Sequence, residues 1–322
     1  MESYKIQITW IASEAARNSL LCSVNSELDL NFNLNTNILF FASNRLPYSN
    51  FELQESFSKS NIIIISHIIL DEEVKVVLEN LKYLKKNCTI VVVSSSSELM
   101  RLTRLGTFEM SAYVKDKNEE FDSPKVEPKI KTILKALTGN LDIAPYLKDI
   151  MVLAPKLLKL LPIKKATDIR RYIECYLYMI EQSKDNICSM ILMLTDIYSD
   201  NYKGLFKNKY SKPILYPQDG IYHPASEIIF TNQSDYLNFT KTKFDKYVGL
   251  ILLRGSVISS DTIVIDSLID GFESRGIGVI PAFSSSFDYR IATVSYTHLR
   301  AHETVLDLVC RLLLEKKKNK KN

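Results

Sequence analysis

KYVGLILLRGSVISSDTIVIDSLIDGFESRGIGVIPAFSSSFD, residues 246–288, lays out a folding unit in one stretch. Residues 248–253 are an uncharged apolar run, which predicts a strand buried on both faces. A polar break at 254–260 follows. Ile265, Leu268, Ile269 and Phe272 then recur at i, i+3, i+4 and i+7, one face of a helix, with Asp261 placed to cap its first turn. Gly276 stops that helix, and 277–283 is a second apolar strand. Strand, helix, strand at this spacing predicts a βαβ unit whose strands run parallel. In open parallel sheets ligands sit beyond the carboxyl ends of the strands. Here those ends carry Arg254, Gly255 and Ser256, and Ser284, Ser285 and Ser286.

The same alternation runs through the first part of the chain. Residues 4–11, 38–42, 62–66 and 89–94 read as strands, the third rich in β-branched side chains. Helices are expected over 13–25 and 51–60, and from Asp71, where Val74, Val77, Leu78 and Leu81 share a face. This pattern predicts a flavodoxin-like parallel α/β domain over 1–114. Ser95 with Glu98 forms a capping box, opening a helix whose Leu99, Leu102 and Leu105 face inward and which Gly106 ends. Residues 115–129, charged and holding Pro124 and Pro128, read as a linker. A helical segment spans 130–202, and its longest helix, over 167–182, sets Ile169, Ile173, Tyr176, Leu177 and Ile180 along one stripe. Residues 203–293 open a second parallel α/β domain. From 294 the pattern breaks into SYTHLRAHET and a lysine-rich end, which resembles translated adapter or vector sequence, so 294–322 is expected to be foreign to the fold.

Bulk properties exclude several functions. The 322 residues are 46% hydrophobic and 24% charged, an ordinary globular balance for about two domains. The whole formal charge of +4 resides in 295–322, so a nucleic-acid partner is not expected. No apolar run reaches the ~18 residues of a membrane helix, and 62–70 is interrupted by Ser66 and His67. No leader precedes the first apolar segment, so the chain is expected in the cytoplasm, or in the plastid stroma if plastid-encoded. Cys22, Cys88, Cys175, Cys188 and Cys310 include no CxxC pair and read as buried or idle thiols. There is no GxxxxGK[ST], no GxGxxG after a strand and no GxSxG, which argues against P-loop, dinucleotide and hydrolase chemistry. His298 and His302 stand i, i+4, but without a third ligand they assign no metal site.

Four side chains remain as binding candidates, each with a plainer role available. Ser95 lies at a strand end and helix start that favours an anion, or it simply caps the helix. Arg101, one turn on, is a phosphate clamp or a solvated cation. His223 follows a turn at 218–220 and precedes Pro224, placed for a carboxylate or metal, or for a buried backbone group. Arg254 ends a strand with a fork suited to carboxylates, or pairs with an aspartate such as Asp261. His67, at the end of the third strand, reads as structural.

VSSSSELMRLTRLGTF, residues 93–108, resembles a signature in the N-terminal domain of the large (H) subunit of magnesium chelatase. YPQDGIYHP at 216–224, taken with 246–288, resembles the start of that subunit's core region. The resemblance covers residues 1–290 in order and implies the N-terminal part of a much longer protein. It implies a subunit that holds protoporphyrin IX while two ATPase-type partner subunits use ATP to drive Mg²⁺ insertion. The family's metal-inserting residues lie downstream, so this stretch is expected to bind no cofactor of its own and to lack catalysis. Residues 254–261 depart from the family pattern, which weakens a role for Arg254. The large subunit of cobaltochelatase is the near alternative, with MRLTRLG favouring magnesium. A non-catalytic protein-interaction module is the alternative of another class.

Overall fold

The computed structural model describes residues 4–13, 18–112, 163–241 and 244–284. They fall into two compact units, the first running to Tyr216 and including 258–261, the second taking the rest from Pro217.

In the first unit β1 (Tyr4–Ala12) leads to α1 (Asn18–Phe32), β2 (Leu34–Ala42), a 3-10 turn (Ser43–Tyr48) and α2 (Asn50–Lys59). Then come β3 (Ile62–Ser66), α3 (Asp71–Asn80) and β4 (Thr89–Val93). The four strands are parallel in the order β2-β1-β3-β4, as the alternation predicts. Both inner strands of isoleucine and valine, β3 and β4, are buried at every position. The connections diverge after β1 and β3, so a topological switch lies between them. Thr9 shares hydrogen bonds with Ser56 (2.5 Å) and Ser60 (2.6 Å) of α2, fixing α2 on one face. Strand alternation turns Trp10 to the other face, where it is buried.

Two helices, α5 (Ile163–Ile180) and α6 (Lys184–Tyr198), share one hydrophobic core with the sheet. The stripe Ile169, Ile173, Tyr176 and Leu177 is buried, and so are Tyr172, Cys175, Tyr178 and Met179 on other faces of α5. Tyr172 donates to the Val92 carbonyl at 2.9 Å, and Lys184 pairs with Glu27 of α1 at 3.0 Å.

The stretch after β4 departs from expectation. Only α4 (Ser97–Met100) is helical, capped by Ser96, whose Oγ accepts the Leu99 N–H at 3.3 Å; Ser95 is not the cap. Gly106 does not end a helix. It turns a hairpin, β5 (Arg104–Leu105) against β6 (Phe108–Glu109), that adds antiparallel to β4 through Ile90 and Arg104. Leucines at 99, 102 and 105 fit a helix, but Leu105 and Phe108 bury equally well across a two-residue turn. The structure also moves α1 to 18–32 from the expected 13–25, and starts β2 at Leu34 rather than 38. The early part of β2, Asn35 to Asn37, is polar because β2 is an edge strand with alternating exposure. The expected linker at 115–129, the helical stretch 130–162 and the tail 294–322 lie outside the described residues.

The second unit holds β7 (Asp219–Ile221), α7 (Gln233–Thr240), β8 (Tyr247–Leu253), α8 (Arg254–Ile258), α9 (Ile263–Glu273) and β9 (Gly278–Ser284). Its sheet runs β7-β9-β8. β8 and β9 are parallel, paired from Tyr247 with Gly278 to Leu253 with Ser284, as the βαβ reading requires. β7 is antiparallel to β9, so the sheet is mixed, and 218–220 is not a free turn but leads into a strand. Central β9 is buried throughout. β8 is not buried on both faces: it lies at the edge, with Ile251 57% and Leu253 73% exposed. The expected polar break at 254–260 is largely α8, and Thr262, not Asp261, occupies the cap position of α9. Ile269 of α9 is fully buried while Leu268 remains 43% exposed.

Candidate functional site

Two strand exits in the first unit are drawn together at the switch. His67 (φ 58°) after β3 and Ser94 (φ 49°) after β4 both hold left-handed backbone, uncommon for non-glycine residues. His67 N–H donates to the Val93 carbonyl at 3.3 Å and Ser96 N–H to the Ile68 carbonyl at 2.8 Å. Buried Ser95 completes the link: its hydroxyl accepts the Ile68 N–H and donates to the Val93 carbonyl, both at 3.2 Å. Ser95 is therefore occupied in joining the two loops. Ser94 reaches the Tyr176 hydroxyl at 3.5 Å, and burial pushes that phenol's pKa up. The Ser66 hydroxyl and the Trp10 indole N–H are buried without a hydrogen-bond partner. Register places both on one sheet face, since Ser66 pairs with Ala12 and Trp10 with Ile64. Neutral donors of this kind can orient a polar ligand atom, but they supply no general base at neutral pH. Arg101 is half-buried at the end of α4. Arg104 donates to the Lys86 (3.3 Å) and Cys88 (3.0 Å) carbonyls.

The signature residues Gly106 and Thr107 work on a carboxylate that sequence reasoning did not single out. Asp168 of α5, only 8% exposed, accepts the Thr107 N–H and hydroxyl, each at 2.7 Å, and the Tyr198 hydroxyl at 2.8 Å. A Cβ on Gly106 would come within 2.7 Å of the Asp168 carboxylate. Burial and the adjacent Asp168 charge push the Tyr198 pKa up. Asp168 stands sixty-odd residues from its partners, on a helix, and leaves no local signal.

In the second unit the exits of β8 and β9 sit side by side, as predicted. Half-buried Arg254 follows β8 and donates from Nε to the Pro217 carbonyl at 2.8 Å. Ser284, ending β9, hydrogen-bonds Asp219 at 2.5 Å. His223 accepts the Ala225 N–H on Nδ1 at 3.1 Å, which leaves the proton of the neutral ring on Nε2. Its ring packs against Phe239 (5.4 Å between centroids) and Tyr236 (5.9 Å). His223 thus closes a turn and walls an aromatic cluster, apart from the strand ends where Arg254 lies. Its neighbour Tyr222 bonds Asp266 (2.9 Å) and Thr262 (3.2 Å) of the α9 start, a contact the sequence reading also missed.

Burial pushes the thiols of Cys88 and Cys188 up to about 12, and that of Cys175 further, so they are weak nucleophiles at neutral pH. Among the described residues no group of three or more His, Cys, Asp or Glu could hold a metal ion, and no helix is long and apolar enough to cross a membrane.

Comparison with known proteins follows the division in the chain. Residues 7–173, more than half of it, match the family described as a domain of unknown function (DUF3479), and 176–322 match CobN/Magnesium Chelatase. The large (H) subunit of magnesium chelatase from Rhodobacter capsulatus is 28% identical over 256 residues, 77% of this chain and 20% of that protein. The chloroplastic magnesium-chelatase protein ChlH of Oryza sativa subsp. indica is 28% identical over 250 residues, 74% and 17% respectively. The chain thus spans about a fifth of the length of the curated relatives it matches. The solved catalytic subunit of cobaltochelatase from Mycobacterium tuberculosis aligns over 87% of this chain and 16% of its own, at TM-score 0.40 and 13% identity. With both family matches in order along one chain, and magnesium-chelatase relatives spanning both, this protein belongs to the CobN/magnesium chelatase family, as its DUF3479-bearing N-terminal part.

Proposed function

We propose that the chain is the head of the large, porphyrin-holding subunit of a magnesium chelatase, which inserts Mg²⁺ into protoporphyrin IX for chlorophyll or bacteriochlorophyll synthesis. The carrying observation is the match to the large magnesium-chelatase subunit across three quarters of the chain. Mg²⁺ dehydrates reluctantly, and the porphyrin must release two N–H protons. Coupling insertion to ATP use by two partner subunits answers that difficulty. The head itself offers neutral donors at the first switch and one guanidinium at the second sheet's edge, a set suited to enclosing a ligand rather than to moving protons. Insertion chemistry is assigned to polypeptide beyond the described residues. The compartment is the cytoplasm, or the stroma for a plastid protein.

Titrating the chain with protoporphyrin IX and following porphyrin fluorescence tests the reading. A saturable change, with no metal insertion when Mg²⁺, ATP and the ATPase subunits are supplied, is expected. Turnover by this chain would overturn the division of labour. Absence of binding combined with capture of the ATPase subunits would replace substrate enclosure by scaffolding. The joint description CobN/Magnesium Chelatase keeps a cobalt enzyme as the second reading. Pull-down with magnesium-type against cobalt-type ATPase subunits separates the two.

A further inference from the structure

The edge of the second sheet is left open in an unusual way. Natural edge strands are blunted by charge, proline, bulges or shortness. β8, YVGLILL, has none of these: seven residues without a charge or proline, in unbroken register with β9. Gly278 N–H donates to the Lys246 carbonyl, so by strand alternation Val248, Leu250 and Leu252 turn their peptide groups to β9. Gly249, Ile251 and Leu253 turn theirs outward, and among the described residues β8 has no second neighbour. Beside this edge the side chains of Ile251 and Leu253 are mostly exposed, and α9 exposes Ile263 (76%) and Val264 (72%) as well.

We infer that β8 receives a further parallel strand, supplied by the polypeptide that follows Ser284. β9 already has β7 on one side and β8 on the other, so the chain leaving β9 cannot return as a hairpin beside it. Its direct route back to the sheet is a crossover that delivers a strand parallel to β8, at the one apolar edge that is open among the described residues. A crossover helix would at the same time cover the bare face of α9. The resulting order, β7-β9-β8 and then the new strand, turns the exit of β8 into a topological switch, with Arg254, Gly255 and Ser256 at the crevice. The identity of the occupant rests on the proposed family role, since the Rhodobacter capsulatus relative is five times the length of its matched stretch.

Hydrogen exchange resolves the point. In the intact large subunit from Rhodobacter capsulatus, both alternating sets of amides in the strand aligned with β8 are expected to exchange slowly. In this chain at low concentration, Gly249, Ile251 and Leu253 are expected to exchange about tenfold or more faster than Val248, Leu250 and Leu252. Slow exchange of the outward set in this chain at every concentration also supports the inference, with the strand supplied from residues 285–322. A fast outward set in the intact protein overturns it. Slowing that grows with the concentration of this chain overturns it too, by making a second copy the occupant. Porphyrin binding is read separately: binding with a fast outward set removes the strand and spares the family role, and slow amides without binding do the reverse.

Discussion

Gly106 answers to two constraints at once, and its replacement separates them from ordinary turn preferences. An alanine there holds φ near +55° and drives its Cβ into Asp168. Left-handed strain and weakened charged hydrogen bonds together are expected to cost about 2–4 kcal/mol in denaturant unfolding. Asp168→Ala, which strands the Thr107 N–H and the Tyr198 hydroxyl, is expected to lose about 3 kcal/mol, against about 1 for Tyr198→Phe. The thiols supply a second test. Alkylation followed by mass spectrometry is expected to label exposed Cys22 in the native chain, and Cys88, Cys175 and Cys188 only after unfolding. The folded pKa of Cys88 is raised from 9.0 to about 12, so the unfolded chain gives up that proton first. Stability from this group is whole below pH 9 and falls as pH climbs from 9 towards 12. Cys88→Ala should flatten that fall in unfolding midpoints measured across the range. Thiol burial was legible in cysteine spacing; the Asp168 anchorage was not, because a lone carboxylate on a helix names no partner.

Elements were readable where one periodicity had no rival. The runs at 62–66 and 89–93 are β-branched, five residues long and buried on both faces, so only a central strand fits. The stretch from 95 to 109 carried apolar spacing compatible with either a helix or a hairpin, and tertiary pairing with β4 decided it. In β8 the run of apolar residues correctly announced a strand, but it could not say which neighbours were present. Position in the sheet, not composition, sets its exposure. Leu252→Ala, at 5% exposure, is accordingly expected to destabilise the second unit by about 2–5 kcal/mol. Ile251→Ala one residue away should change it by about 0.5 kcal/mol or less in the isolated chain. Thermal or denaturant unfolding of the two variants side by side measures the contrast.

At the scale of the whole molecule, the order of its parts was legible and the sharing of cores was not. The helices α5 and α6 read as a separate stretch of chain, yet Tyr172 and Asp168 fasten them to the sheet and hairpin of the first unit. Of the binding candidates, Arg254 stands at the strand ends where the βαβ pattern put it. Ser95 and His223 sit in hydrogen bonds that shape their own loops, which no residue-type argument could foresee. The lone indole has a practical consequence of its own. Trp10 is the single tryptophan of the chain and lies in the interior of β1, so intrinsic emission should be blue-shifted and should report melting of the first unit alone. Circular dichroism sees both units. A chain that loses ellipticity in two steps while its tryptophan signal moves in one would reveal which half gives way first, with no label attached.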